Sequence, residues 1–166
     1  ELPANFAAFT GNADAKKYFD VFEELKNSPM YIVSVGSGDA TVENSIMRQY
    51  GVSCVCIDPN PTSYGGSVKI NPHFKTVDDF IKAQPDAIGN CILILVRPTP
   101  MLKYDINAYA LLRPMGMFMM YRADGADCSE EMHYMLNSLD LPNSLRYSNA
   151  KKNIVNSSCF AARAIS

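Results

Sequence analysis

The sequence predicts an α/β domain in which a doubly wound, mostly parallel sheet of about six to seven strands has helices on both faces. Three observations support this fold class. Short apolar runs with strand propensity alternate with segments of helical spacing. The first run, residues 30–35, ends at glycines and is followed by a helix and a second apolar run, which makes a βαβ unit. Such short, continuous apolar strands are typical of a parallel sheet buried on both sides.

The composition is that of one ordinary globular domain. The chain has 166 residues, of which 48% are hydrophobic and 19% are charged, so it can bury a core without disulfides or a metal. A net charge of −2 argues against a basic protein that coats nucleic acid. We expect a single domain over residues 1–166, with a lead-in and a helix in 1–29 and the α/β core in 30–166.

Further expectations concern the setting of the chain. It has neither an apolar stretch of the ~18 residues that span a membrane nor a signal peptide at its start. Its five cysteines lack the spacing of a disulfide framework, which indicates a cytoplasmic, reducing compartment. They are interpreted as small buried hydrophobes, and no metal site is expected. Because the chain begins at Glu1 rather than Met, we expect it to belong to a longer polypeptide or an assembly.

The elements follow one another in the order that this fold requires. Apolar side chains at helical spacing predict helices, and compact apolar runs predict strands. In the first half we expect a helix at 12–26, a strand at 30–35, a helix at 40–50 and a strand at 52–57.

In the second half the same patterns continue. We expect a brief strand at 69–70, a helix at 76–83 capped by Thr76, a strand at 91–96, a helix to 112 capped by Asp105, a strand at 117–121, a helix at 130–139, and strands at 144–147 and 154–162. The last two strands are close enough in sequence to form a C-terminal antiparallel hairpin with a solvated tip at 151–153.

The turn after the first strand is the first candidate for chemistry. Gly36 can adopt a positive φ and let the chain reverse, and Gly38 allows a ligand to approach the backbone. The following helix would direct free N–H groups at that ligand. Glycines also end many strands for structural reasons, so the turn alone does not define a site.

An acidic residue follows the second strand at an informative distance. Asp58 lies 22 residues after Gly36 (58 − 36 = 22). An acid about 20 residues beyond such a turn is placed to accept hydrogen bonds from a ribose. Both residues follow parallel strands, so we expect them to meet at the carboxyl edge of the sheet, where such folds bind ligands. The alternative is that Asp58 only opens the turn at Pro59.

Thr41 narrows the kind of nucleoside ligand. A dinucleotide fingerprint has Gly or Ala at this position, and the P-loop pattern is absent. Residues 33–40 (VSVGSGDA) and 56–60 (CIDPN) instead resemble the motifs of the class I, Rossmann-like S-adenosylmethionine-dependent methyltransferases. The order of elements over residues 30–166 is also similar. The resemblance implies a methyltransferase or methyltransferase-like domain with S-adenosylmethionine as cofactor and an unknown substrate, whether RNA, protein or a small molecule.

The resemblance also implies which residues hold the cofactor. The glycine turn would lie beside its methionine and ribose portions, and Asp58 would hold the ribose. Residues after the third and fourth strands would contact the adenine and frame the methyl-transfer site. The implied set is Gly36, Ser37, Gly38, Asp39, Asp58, Pro59, Asn60, Val77, Asp78, Val96 and Arg97. Arg97 is also the one candidate for a catalytic role, with a salt bridge to Asp105 as the alternative.

The sequence departs from the family pattern at three places. Ser34 stands where an acidic residue is common, Ala40 replaces the third glycine, and residues 97–100 (RPTP) replace Asn/Asp-Pro-Pro-aromatic. A second hypothesis is therefore a catalytically inactive relative that serves as an interaction or scaffold module. A third is another nucleotide-dependent enzyme. His73 is a further candidate to approach the cleft.

Overall fold

Four parallel strands form the centre of the fold in the computed structural model, which describes residues 22–23, 25–38, 40–59, 72–96, 98, 101–122, 128–138, 144–148 and 157–163. They are β1 (Tyr31–Val35), β2 (Val55–Ile57), β3 (Cys91–Val96) and β4 (Gly116–Arg122). Two further strands, β5 (Ser144–Ser148) and β6 (Ser157–Arg163), pair antiparallel with each other, and β6 pairs antiparallel with β4. The order in the sheet is β2-β1-β3-β4-β6-β5. The expected α/β class with a parallel sheet is confirmed.

Among the described residues, four helices of seven or more residues connect and cover these strands. They are α1 (Thr41–Tyr50), α2 (Val77–Ala83), α3 (Tyr104–Leu112) and α4 (Glu130–Ser138). Short 3₁₀ turns occur at Leu25–Asn27 and Pro85–Ala87. The Thr76 side chain accepts a hydrogen bond of 3.1 Å from the backbone N–H of Asp79, so the expected cap of α2 is confirmed.

The core lies in two layers, one on each face of the sheet. Successive side chains of a strand point to opposite faces. Val33 of β1 belongs to a buried cluster that contains Phe80 of α2 and residues of α3 and α4. Ile32, one position earlier, belongs to a second cluster with Ile46 of α1. Helices therefore cover both faces, and the carboxyl ends of β1 and β2 emerge between them.

Asp105 does not cap α3, and that expectation was wrong. The helix begins one residue earlier, and Lys103, with φ of 53°, occupies the capping position. The Asp105 carboxylate is fully buried and accepts 2.8 Å hydrogen bonds from the backbone N–H groups of Ile106 and Ser129. Ser129 in turn accepts a hydrogen bond from the Met132 N–H in the first turn of α4. The Asp105 carboxylate therefore forms a tertiary hydrogen bond instead of capping its own helix, and this bond connects α3 to the start of α4.

Four other expected features fall differently or lie outside the described residues. β2 is only three residues long, rather than the six expected at 52–57. The brief strand at 69–70, the tip at 151–153 and most of the helix at 12–26 lie outside the described residues. A single parallel bridge joins Ile57 to Phe74 and extends the sheet beyond β2.

The Asp105 carboxylate should be required for stability. Replacing Asp105 with Ala leaves the buried Ser129 N–H without its acceptor, which we expect to lower the free energy of unfolding by about 2–3 kcal/mol. Asp105→Asn keeps one side-chain oxygen and should lose less. Urea unfolding of both variants measures this, and an Asp105→Ala midpoint equal to that of the parent protein would contradict the assignment.

Candidate functional site

The glycine turn after β1 is fixed to the end of β2 by backbone hydrogen bonds. Gly36 and Gly38 both have positive φ, 75° and 58°, which is where glycine is favoured. The N–H groups of Gly36 and Ser37 donate to the carbonyl oxygen of Ile57 at 2.8 and 3.3 Å. The turn therefore closes back onto the neighbouring strand and has a defined shape before any ligand arrives.

Asp58 meets the glycine turn directly. The backbone N–H of Gly38 donates to Oδ2 of Asp58 at 2.8 Å. The expectation that the two motifs lie together at the carboxyl edge of the sheet is thereby confirmed. The hydrogen bond also changes the expected role of Gly38, because its N–H is bonded to a carboxylate of the protein in this structure rather than directed at a ligand.

Ala40, at the position of the third glycine in the family pattern, lies in the left-handed region of backbone conformation. Its φ is 57°, and it precedes the first residue of α1 in the left-handed region. For a non-glycine residue this conformation costs roughly 1–2 kcal/mol. Its N–H donates to the carbonyl oxygen of Ser37 at 2.9 Å. Ala40 therefore adopts a backbone conformation that favours glycine.

The hydroxyl of Ser37 is a buried polar group within the turn. Its Oγ makes no hydrogen bond of ordinary geometry with the described residues. Its neighbour is the thiol of Cys56, a weak hydrogen-bonding partner. An unsatisfied buried hydroxyl costs free energy, so Ser37 is ready to bond a polar atom that enters the turn.

The ring of Tyr104 lies against Gly36. A Cβ placed on Gly36 would be 2.5 Å from Cε2 of Tyr104 and 2.7 Å from its hydroxyl oxygen. Tyr104 is the first residue of α3, which follows β3, so the ring reaches the end of β1 from the next strand along the sheet. A side chain at position 36 would therefore need the Tyr104 ring to shift, and it would also have to adopt the positive φ.

A buried carboxylate lies on the other side of the turn. Glu43, in the first turn of α1, is 2% exposed and accepts a 2.5 Å hydrogen bond from the hydroxyl of Ser34. Ser34 is paired in the sheet with Cys56, and both point toward α1. Burial, together with the nearby Glu43 carboxylate, raises the pKa of the Cys56 thiol to about 12. The pKa of the Cys54 thiol is also raised, mainly by burial and then by the neighbouring Cys56 and Glu43.

The described cysteines behave as the sequence suggested. Cys54, Cys56, Cys91 and Cys128 are free and buried. Burial also raises the pKa of Cys91, to about 11. The pKa values of Cys54, Cys56 and Cys91 are raised, so these three thiols stay protonated at neutral pH and act as small apolar side chains rather than as nucleophiles.

The implied adenine-side residues lie beside the same edge. Asp58 donates its own N–H to the carbonyl oxygen of Phe74 at 3.1 Å. Val77 and Asp78 follow Phe74 closely, at the start of α2, with Val77 half-buried and Asp78 exposed. Pro59 is exposed in the bend after Asp58. The carboxyl ends of β1 and β2 and the start of α2 are thus adjacent.

Of the remaining candidates for cofactor binding, the structure describes only Val96. Val96 is the last residue of β3 and packs against the core layer on the α1 side. Asp39, Asn60 and Arg97 lie outside the described residues. The structure therefore does not test whether Arg97 has a role in the site or forms a salt bridge to Asp105.

His73 forms two hydrogen bonds with the backbone of β2. Its Nδ1 accepts a 3.0 Å hydrogen bond from the N–H of Cys56, and its own N–H donates to the carbonyl oxygen of Cys56 at 2.8 Å. His73 therefore closes the sheet edge beyond β2, which accounts for its presence without a role in the cleft.

Two further findings bear on the type of site. No group of three or more His, Cys, Asp or Glu side chains among the described residues is arranged to hold a metal ion. Within the same residues, no helix is both long and apolar enough to cross a bilayer.

Comparison with solved structures finds proteins of similar fold. Neither family profiles nor curated proteins match the sequence. The METTL16 methyltransferase domain matches with a TM-score of 0.59 and 10% identity over 99% of this chain and 70% of that one. The human methyltransferase 10 domain containing protein matches with a TM-score of 0.55 and 11% identity over 91% of this chain and 82% of that one. A Thermoplasma acidophilum protein matches with a TM-score of 0.55 and 12% identity over 92% of this chain and 85% of that one. The chain therefore has a class I methyltransferase-like fold.

Sequence reasoning missed two residues of this region, Tyr104 and Glu43. Both reach the turn through tertiary contacts. The available signals were weak: an aromatic residue shortly after a buried strand, and a polar Ser34 in an otherwise apolar strand with an acid in the helix that follows.

The contact between Gly36 and Tyr104 can be separated from backbone strain. Gly89 has a φ of 73°, close to that of Gly36, but a Cβ there would meet nothing within 4 Å. Gly89→Ala should therefore lose only the roughly 1–2 kcal/mol of the left-handed conformation. We expect Gly36→Ala to lose about 1 kcal/mol more, because the Tyr104 ring must shift.

Chemical denaturation of both variants measures the difference, and Tyr104→Ala provides the control. In that background the extra loss at position 36 should disappear. Equal losses for Gly36→Ala and Gly89→Ala in the parent protein would show that the ring does not constrain the turn.

Proposed function

We propose that this chain is an S-adenosylmethionine-dependent methyltransferase domain. The single observation that carries the proposal is the 2.8 Å hydrogen bond from the Gly38 N–H to Asp58. It joins a glycine turn and an acidic residue at the carboxyl edge of a parallel sheet, the edge at which open α/β sheets bind nucleosides. The class I methyltransferase-like fold supports the same reading.

The residues present fit an adenosyl cofactor. Asp58 offers a carboxylate to ribose hydroxyls, and the unsatisfied hydroxyl of Ser37 offers a partner to a polar atom in the turn. Val77 and Asp78 would contact the adenine from the start of α2, together with Pro59 and Asn60. Gly36, Gly38 and Asp39 would line the methionine side, and Val96 and Arg97 would frame the acceptor.

The chemistry requires little acid–base catalysis from the protein. When bound, S-adenosylmethionine supplies an electrophilic methyl group on a cationic sulfur. The contribution of this chain would be to position the two reactants, which is where most of the rate enhancement of a direct displacement can arise. The acceptor is not specified by the described residues, and specificity in such folds lies in loops and added segments.

The wider setting is part of the proposal. We propose a single domain over residues 1–166, in a reducing, cytoplasmic compartment. The four described cysteines, all free and buried, support such a compartment.

Binding of the cofactor should depend on Asp58. We expect isothermal titration calorimetry to detect both S-adenosylmethionine and S-adenosylhomocysteine, and Asp58→Ala to weaken binding at least about tenfold, since hydrogen bonds to charged groups contribute about 1.5–3 kcal/mol. Asp86→Ala is the matched control, because that exposed carboxylate accepts from the Tyr31 hydroxyl at the start of β1, the opposite edge of the sheet. If the parent protein binds neither compound, or Asp58→Ala binds as the parent does, the proposal is wrong.

Tyr104 should oppose binding in the present conformation. Its ring covers Gly36, so a ligand that contacts this residue must first displace the ring. We expect Tyr104→Ala to tighten S-adenosylhomocysteine binding by about three- to tenfold, or roughly 1 kcal/mol. Tyr104→Phe keeps the ring and should match the parent protein. Weaker binding by Tyr104→Ala would instead make the ring a wall of the bound site.

A further inference from the structure

The residue before α3 is tied to α4 by an exposed ion pair. Nζ of Lys103 lies 2.6 Å from Oε1 of Glu131 in the first turn of α4, and both side chains are about half exposed. The hydrogen bond between them is the largest cause of a raised pKa at Lys103 and of a lowered pKa at Glu131. Both groups are therefore charged at neutral pH.

The side chains that precede Lys103 are largely in solvent. Met101 is 87% exposed and Leu102 is 69% exposed, so packing constrains them weakly. Lys103 itself has a φ of 53°, a left-handed conformation that is unfavourable for a non-glycine residue. The ion pair, together with the first backbone bond of α3 from the Asn107 N–H to the Lys103 carbonyl oxygen at 3.2 Å, helps to hold that conformation.

Tyr104, whose ring covers Gly36, stands between two anchors to α4. On one side is the exposed ion pair of Lys103, and on the other is the buried hydrogen bond from the Ser129 N–H to Asp105. An exposed ion pair contributes little stability and opens more readily than a buried contact. Its release would free the first residue of α3, and the ring with it, while Asp105 keeps the rest of the helix docked.

We propose that Lys103 and Glu131 are positioning residues that hold the Tyr104 ring over Gly36 and so set how often the glycine turn is open to the cofactor. The identity of the ligand rests on the function proposed above, whereas the hold on the ring does not. The pair acts through Tyr104, so neither residue is catalytic. A ligand that binds only the open form has an apparent dissociation constant that rises with the closed fraction. The start of α4 is thereby coupled to the glycine turn.

Calorimetry with S-adenosylhomocysteine measures the effect on binding. Glu131→Gln removes the charge and keeps the shape, and we expect it to tighten binding about two- to fivefold, the range available from an exposed ion pair. Lys103→Met should act in the same direction. Asp86→Asn removes an equal charge at the opposite edge of the sheet and should bind as the parent does. In a Tyr104→Ala background, Glu131→Gln should have no further effect, because no ring remains to be held.

Ionic strength identifies the ion pair as the cause. Raising the salt concentration from about 0.05 to about 0.5 M screens exposed charges. The affinity of the parent protein should then approach that of Glu131→Gln, which should itself change less. A folded Glu131→Gln variant that binds no more tightly than the parent protein, or that tightens binding equally in the Tyr104→Ala background, would overturn this inference.

The ring can also be followed without a ligand. Because the Tyr104 ring lies against Gly36, its ring current shifts the NMR resonance of the Gly36 amide proton, and Tyr104→Ala gives that resonance without the ring. In ligand-free Glu131→Gln we expect the Gly36 resonance to lie between those of the parent protein and Tyr104→Ala. An unmoved resonance contradicts the inference whether or not a ligand binds. A parent protein that binds neither S-adenosylmethionine nor S-adenosylhomocysteine would contradict the proposed function alone.

Discussion

The hydrogen bond between Gly38 and Asp58 is the contact on which the arrangement of the site depends. Together with the bonds from Gly36 and Ser37 to Ile57, it ties the turn after β1 to the end of β2. Two parallel strands without such a tie would present independent loops at their carboxyl ends. Here the loops form one surface, and the positions of α1 and of the start of α2 follow from it.

Three side chains then complete this surface from different elements. Tyr104 covers Gly36 from α3, Ser37 contributes a buried hydroxyl, and Glu43 places its carboxylate beneath the turn from α1. Asp105 holds the start of α3 to that of α4 and so fixes the base of the Tyr104 side chain. Ala40, a non-glycine residue with a φ of 57°, adds backbone strain at the same place. Strain and buried polar groups are commonly retained where a protein binds its ligand.

The parts of this account that sequence alone could predict are those with local causes. β3 was predicted at its observed bounds because its apolar run is uninterrupted, and the cap at Thr76 follows from a preference that acts within one helical turn. The meeting of the glycine turn with Asp58 followed from the βαβ connection. Tyr104 and Asp105 could not be placed in the same way. Their partners are distant in the chain, and the cap expected at Asp105 lost to a tertiary hydrogen bond. The roles of the implied cofactor-binding residues stay predictions.

A crystal structure of the chain grown with S-adenosylhomocysteine would test the central claim most directly. The account predicts a nucleoside bound beside Asp58, with ribose hydroxyls within hydrogen-bond distance of its carboxylate and the Tyr104 ring moved away from Gly36. A well-ordered crystal grown with saturating ligand, in which the cleft beside Asp58 holds no nucleoside and Tyr104 still covers Gly36, would contradict it.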